Sequence, residues 1–419
     1  MSSARAAALI ALVALVGAGV VAFVSRTPPE VRAAEPGPAA TDPSLGASFS
    51  DEQISRHGAY RGPSYLAFFV GLTIEIVTLV ALARGPLPRL ASSLNGIRGG
   101  LPVRVALIAL FVAAVATAAA LPLSYVRGYA MQKAWSLSTQ NVGGWLSDVG
   151  RGFAVSAVIA AISAIVFYGL LRWQPRTWWV WGWAAFSLLS ALLVFLYPVV
   201  IAPLFNKFTP LQDAELAADI RSIASDAGVD VDEVLVADAS RRTTAENAYV
   251  AGLGSTKRVV VYDTFLEGGG REDTLFVVAH ELGHAKENHV LKNVGLSCIG
   301  LAVGFGALYW LAARSGVWRW AGAEGIADPT GLPVILLFAT VMGVLSLPAQ
   351  NAVSRSFERA ADRTAFSLLP DPDPAIRSFR RLAFSNLADL RPPAPVEFLF
   401  FTHPSIPDRI ETARSSARP

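Results

Sequence analysis

The chain has 419 residues, 53% of them hydrophobic and only 16% charged, with a mean hydropathy of +0.45. An average soluble domain carries about 25% charged residues, so this balance argues against a wholly soluble protein and for several stretches whose solvent is lipid. The net charge of +3 is too small to point to nucleic acid, and the single cysteine, Cys298, excludes an internal disulfide and any zinc site of four sulfurs or of two sulfurs and two histidines. Residues 6–24 are almost purely apolar and long enough to cross a bilayer. They read as a first transmembrane helix or signal anchor within residues 1–24, with a cleaved signal peptide as the alternative. Residues 25–63, rich in Pro, Ala, Ser and Gly in their first half, read as an exposed loop.

Spans two to five are expected within residues 64–203, at 64–83, 101–123, 153–171 and 178–203. Trp178, Trp179, Trp181 and Trp183 crowd the start of the fifth, as in an interfacial aromatic belt. Glu75 and Arg104 fall in or near spans, where a charge is costly; a structural pair, snorkelling or substrate handling would each account for them. Residues 204–290 form a water-soluble segment. Leu216, Ile220 and Ile223 share one helical face, and residues 232–240, 246–252 and 257–265 read as strands, with a turn over 252–257 between the last two. Spans six and seven follow within 291–350, at 291–313 and 330–348, and residues 351–419 form a second soluble piece. The expected fold is mostly α: a polytopic membrane protein with about seven transmembrane helices and a soluble part containing a small β-sheet.

Histidine is scarce. Three of the five, His280, His284 and His289, lie within ten residues. His280-Glu281-Leu282-Gly283-His284 is an H-E-x-x-H motif with apolar helical spacing around it. On a helix, positions i and i+4 face the same way, so His280 and His284 can direct their Nε2 atoms at one zinc ion. Glu281 beside them can take the proton of an attacking water. The alternative is a surface helix with two solvated histidines. His289 extends the cluster on the same helix but stands five residues from His284, off the shared face, and is expected not to be a ligand.

A catalytic zinc takes a third protein ligand and keeps one position open. The absence of H-E-x-x-H-x-x-G-x-x-H excludes the metzincin solution. A helical stretch after the last span carries Glu358 and Asp362, again four apart. Glu358 can ligate the zinc while Asp362 takes the free N–H of a ligand histidine. Taken alone, both acids could instead pair with Arg355, Arg359 or Arg363 on a solvated face. Two spans separate His284 from Glu358, which returns the chain to the same side of the membrane; an odd number would have excluded the site.

Together these motifs resemble the integral-membrane CAAX prenyl endopeptidases of type 1, zinc metalloproteases of the endoplasmic reticulum and of many bacteria. The resemblance rests on the run from Ile201 to Leu211 after a span, on Asn247-Ala248-Tyr249, on the H-E-x-x-H motif, on the run from Ser354 to Asp362, and on His403-Pro404 with Arg409 following. It covers nearly the whole chain and is weakest over residues 1–60. It implies seven helices around a water-filled chamber, capped by a zinc metalloprotease domain of the gluzincin type with a small β-sheet, and one Zn2+ per chain. It also implies an extended peptide or protein substrate, prenylated or unmodified, lying beside Asn247-Ala248-Tyr249 and hydrogen-bonded by Asn247. His403 and Arg409 would stabilise the tetrahedral intermediate or hold substrate. Partners are then a peptide substrate and the lipid bilayer, with no nucleic acid. The resemblance places the multi-pass chain in a bacterial cell membrane or an endoplasmic-reticulum-like one, with the catalytic side cytoplasmic. Arg and Lys counts on the two sides nearly balance and do not decide the orientation. HtpX-type proteases share the zinc motif but have fewer spans, so a broader membrane quality-control protease is one alternative and a non-hydrolytic zinc-site sensor is another. A transporter built on Glu75 and Arg104 is a third.

Overall fold

The computed structural model describes residues 1–33, 42–252 and 257–416. Among these, seven helices are long and apolar enough to cross a membrane. The first five are α1 (Ser3–Val24), α2 (Asp51–Arg84), α3 (Gly100–Ser124), α4 (Val142–Trp173) and α5 (Trp178–Leu196). A soluble segment carrying α6 (Ala214–Asp226) and α7 (Arg271–Lys286) precedes the last two, α8 (His289–Ala312) and α9 (Leu332–Leu368). Two further helices, α10 (Pro372–Ser385) and α11 (Ile406–Ser416), close the chain's soluble part.

Lipid supplies no hydrophobic drive between helices, so small residues at their contacts decide how closely they pack. Helix α1 buries Ala6, Ile10, Ala14, Ala18 and Val21 and exposes Leu12 and Leu15. A Cβ on Gly17 would lie 2.7 Å from Val70 Cγ1, so the Val70 side chain of α2 packs directly on the α1 backbone there.

The soluble part is built on a four-stranded sheet of order β1-β2-β4-β3: β1 (Phe208–Pro210), β2 (Glu233–Ala237), β3 (Ala248–Ala251) and β4 (Arg258–Tyr262). The pairs β1–β2 and β3–β4 are antiparallel and β2–β4 is parallel. Val234, Val259 and Val261 face a core with Ile220 of α6, Phe276, Val278 and Leu282 of α7, and Phe379 of α10. Val260 faces the other way with Leu235 and Ala237, as the two-residue period of a strand requires. Each large side chain buried here contributes about 1.5–3 kcal/mol, which holds α7 firmly on the sheet. The short strand β1 is an addition to the three expected from sequence. It has only three residues and ends in proline, too little pattern to detect.

Three expectations are corrected. The loop expected over residues 25–63 is loop only in part. Ser50 and Gln53 form a reciprocal cap, and residues 51–63 are the first turns of α2. Composition in the first half of the segment conceals that start; residues 34–41 lie outside the described residues, as do 253–256 of the turn expected over 252–257. Ahead of the cap, residues 43–49 run as a strap over the soluble part. Arg380, fully buried, donates from Nη1 to Gly46 O (2.7 Å) and Ser48 O (2.9 Å) and lies over the Phe49 ring, while Arg414 reaches Pro43 O and Ser44 O. Second, the seventh span and the helical stretch expected after it are one helix. Pro348 sits inside α9, which continues unbroken from the membrane to Leu368. Third, His289 is not on the helix of His284. Asn288 takes a left-handed conformation (φ 54°), α7 ends, and His289 opens α8.

His57 has a structural place. It is buried on α2, with Nδ1 2.6 Å from Ala388 O and its ring edge-on to Phe384. Arg61 and Tyr65 of the same helix bind Leu387 O, Asn386 O and Asp389. Glu75 accepts a hydrogen bond from Thr340 Oγ1 (2.6 Å) rather than pairing with Arg104, whose Nε is buried without a hydrogen-bond partner.

Candidate metal centre

Glu272 and Asp273 in the first turn of α7 suit the positive end of its dipole, and the buried faces of Phe276, Val278 and Leu282 fix its rotation. His280 and His284 then point away from the sheet, toward α9. The two helices cross at Gly283, where a Cβ would lie 2.9 Å from both Ala361 Cα and Ala361 O. This approach places Glu358 and Asp362, which flank Ala361 on α9, directly opposite the histidines.

His280 Nε2 and His284 Nε2 are 3.2 Å apart. Glu358 Oε2 is 3.3 Å from the first and Glu358 Oε1 is 3.3 Å from the second. With zinc–ligand bonds of about 2.0–2.1 Å, a tetrahedral site has donor–donor edges of roughly 3.3–3.4 Å. The three side chains therefore already outline one face of such a tetrahedron. Among the described residues this is the one group of His, Cys, Asp or Glu with such geometry. Glu358 Oε2 is buried and accepts no hydrogen bond, which leaves a lone pair for a cation. Burial opposes a charge on His280, yet the carboxylates of Asp362 and Glu358 beside it outweigh that and raise its pKa to about 9. The pocket thus favours positive charge at this point, and the donor set fits a zinc ion.

Outer partners hold these side chains in place. Asp362 Oδ1 lies 2.8 Å from His280 Nδ1. Arg409 from α11, 8% exposed, grips both Asp362 oxygens, with Nη2–Oδ1 at 2.6 Å and Nε–Oδ2 at 3.0 Å. Its guanidinium is thus engaged behind the ligands, not in the open part of the site. Glu281 is half-buried on the face beside the donors; burial raises its carboxyl pKa, against the pull of His280 and His284. His403 stands at the open side, its side chain 56% exposed, with Nε2 3.3 Å from Glu358 Oε1. Arg355 does not pair with the acids; it donates to Phe401 O and Glu397 O. Asn247 is exposed at the head of β3, with its carbonyl taken by the Tyr262 N–H. Strand β3 is an outer strand of the sheet, with β4 as its one partner there.

Two residues escape sequence reasoning. Gly283 is hidden as a variable position of the motif, although a glycine inside a helix signals a close approach. His289 appears off-face, yet the left-handed Asn288 swings its Nδ1 to 2.9 Å from His284 Nδ1.

The sequence profile of Peptidase family M48 matches residues 210–417, and that of the CAAX prenyl protease N-terminal part, five membrane helices, matches residues 39–207. An uncharacterized metalloprotease, YhfN of Bacillus subtilis, is 32% identical over 361 residues, 84% of each chain. CAAX prenyl protease 1 of Saccharomyces cerevisiae is 27% identical, covering 69% of this chain and 67% of its own. The human CAAX prenyl protease 1 homolog is 26% identical over 78% of each. The crystal structure of S. mikatae Ste24p superposes with a TM-score of 0.74 at 21% identity, over 97% of this chain and 98% of that one, and so shares the fold.

Proposed function

The chain belongs to peptidase family M48 and is a membrane metalloprotease of the CAAX prenyl protease type; from that premise we propose that its metal is zinc, one ion per chain, held by His280, His284 and Glu358, with Glu281 as general base. The observation that carries this reading is the triangle of donor atoms with edges of 3.2, 3.3 and 3.3 Å. A bound zinc supplies Lewis acidity, polarising the scissile carbonyl and lowering the pKa of a bound water. Glu281 takes the proton of the attacking water and passes it to the leaving amine. His403, open on one side, donates to the oxyanion that develops on the carbonyl. Asp362 holds His280 in the tautomer that presents Nε2, and Arg409 acts through Asp362 as a positioning residue.

The substrate backbone pairs with the outer edge of β3, and Asn247 at its head binds one peptide group. The names of the eukaryotic relatives point to peptides at the C-terminus of prenylated proteins as the substrate class. The catalytic part faces the cytoplasm in this reading. Purified protein in detergent should hold one zinc per chain and cleave a farnesylated peptide faster than its unmodified counterpart. Glu281→Gln should keep the zinc and lose cleavage. Cleavage that survives the substitution would remove Glu281 as the base, and equal rates on both peptides would favour a broader membrane protease.

A further inference from the structure

We propose that His289 is a positioning residue that fixes the metal-binding tautomer of His284, in a role parallel to that of Asp362 on His280. The inference rests on the zinc-site reading above. A neutral histidine that presents Nε2 to a metal carries its proton on Nδ1. For His280 that proton points at Asp362, 2.8 Å away. For His284 it points at His289 Nδ1, 2.9 Å away, so His289 accepts there and keeps its own proton on Nε2. His289 is 3% exposed, and its ring stacks on Phe357 at 4.2 Å and 13°. Phe357 precedes Glu358, so one packing contact ties the acceptor of His284 to the helix that carries the third donor. The left-handed Asn288 brings His289 back beside His284 across five residues that no continuous helix could align.

The two ligand histidines are therefore held by unlike partners, a carboxylate for one and a neutral ring for the other. Variants separate the hydrogen bond from the packing. His289→Phe keeps a flat ring on Phe357 and removes the acceptor; His289→Leu does the same without the ring, should phenylalanine not fold. His289→Asn restores a carbonyl oxygen near the Nδ1 position. Zinc affinity is read by competition with a chromophoric chelator, and the ligand field by the visible spectrum of the cobalt-substituted protein. His289→Phe or His289→Leu should weaken zinc roughly 10–100-fold and alter the cobalt bands, while His289→Asn stays close to wild type. Unchanged zinc affinity in the acceptor-free variants, or an equal loss in His289→Asn, overturns the proposal. His280→Ala run alongside should lose zinc outright; if it does not, the zinc site itself is misplaced, a failure distinct from that of His289.

Discussion

Replacing Gly283 by alanine sets two effects against each other. Alanine is favoured over glycine inside a helix by about 1 kcal/mol, so propensity alone makes Gly283→Ala stabilising. The new Cβ, however, would lie 2.9 Å from Ala361 Cα and Ala361 O and 3.1 Å from Thr364 Cβ. Carbon contacts settle at about 3.5–4.0 Å, so α7 and α9 must part by roughly 0.6–1 Å. Two of the three clashing atoms are backbone and cannot rotate aside. Overpacking of this kind costs about 1–3 kcal/mol, which matches or exceeds the propensity gain. The larger effect falls on the site. Donor positions tolerate only about 0.2 Å, so moving Glu358 by several tenths should weaken zinc at least tenfold. A misplacement near 1 Å lowers the catalytic rate by about a hundredfold. Chelator competition for zinc, peptide cleavage and the thermal midpoint measured on the same preparation test this. A stabilised protein with unaltered zinc affinity and activity would refute the close-contact argument.

Arg409→Lys keeps the charge but loses the two-point grip on Asp362, so zinc affinity and kcat/KM should fall together; wild-type zinc affinity with lost activity would instead put Arg409 on the substrate. Arg380→Met strands the buried carbonyl of Gly46, a cost of about 1–3 kcal/mol, and frees that of the exposed Ser48, and limited proteolysis should then cut within residues 42–50 at a rate the wild type does not show. Asn386 clasps the backbone of Glu246, accepting its N–H and donating to its carbonyl at 3.1 Å each, just before β3. Asn386→Leu should raise KM for a peptide substrate and leave zinc affinity unchanged; a zinc defect would show that the clasp serves the metal helix instead.

What is legible in the sequence follows from periodicity. The pairs His280–His284 and Glu358–Asp362 each repeat at four residues, so each shares a helix face whatever the rest of the chain does, and apolar runs of bilayer length mark the seven spans. Features set by contact between distant segments are not legible. The strap at 43–49 is held by Arg380 and Arg414, more than 300 residues away, and nothing in its own composition distinguishes it from a free loop. The return of His289 depends on one backbone angle at Asn288. Arg409 is a further case: the sequence marks it only through the resemblance, and its pairing with Asp362, 47 residues away, is visible only in the fold.

The proposed donor set is also divided in time. His280 and His284 precede the last two membrane helices, and Glu358 follows them, on the same unbroken helix that makes the final crossing. During synthesis the first two donors emerge with no third until the closing hairpin has entered the bilayer and brought its far end back. A chain that stalls before that step, or inserts only one arm of the hairpin, has its histidines on one side and its carboxylate missing or on the other. Assembly of the proposed donor set is thereby tied to completed insertion of the last two membrane helices.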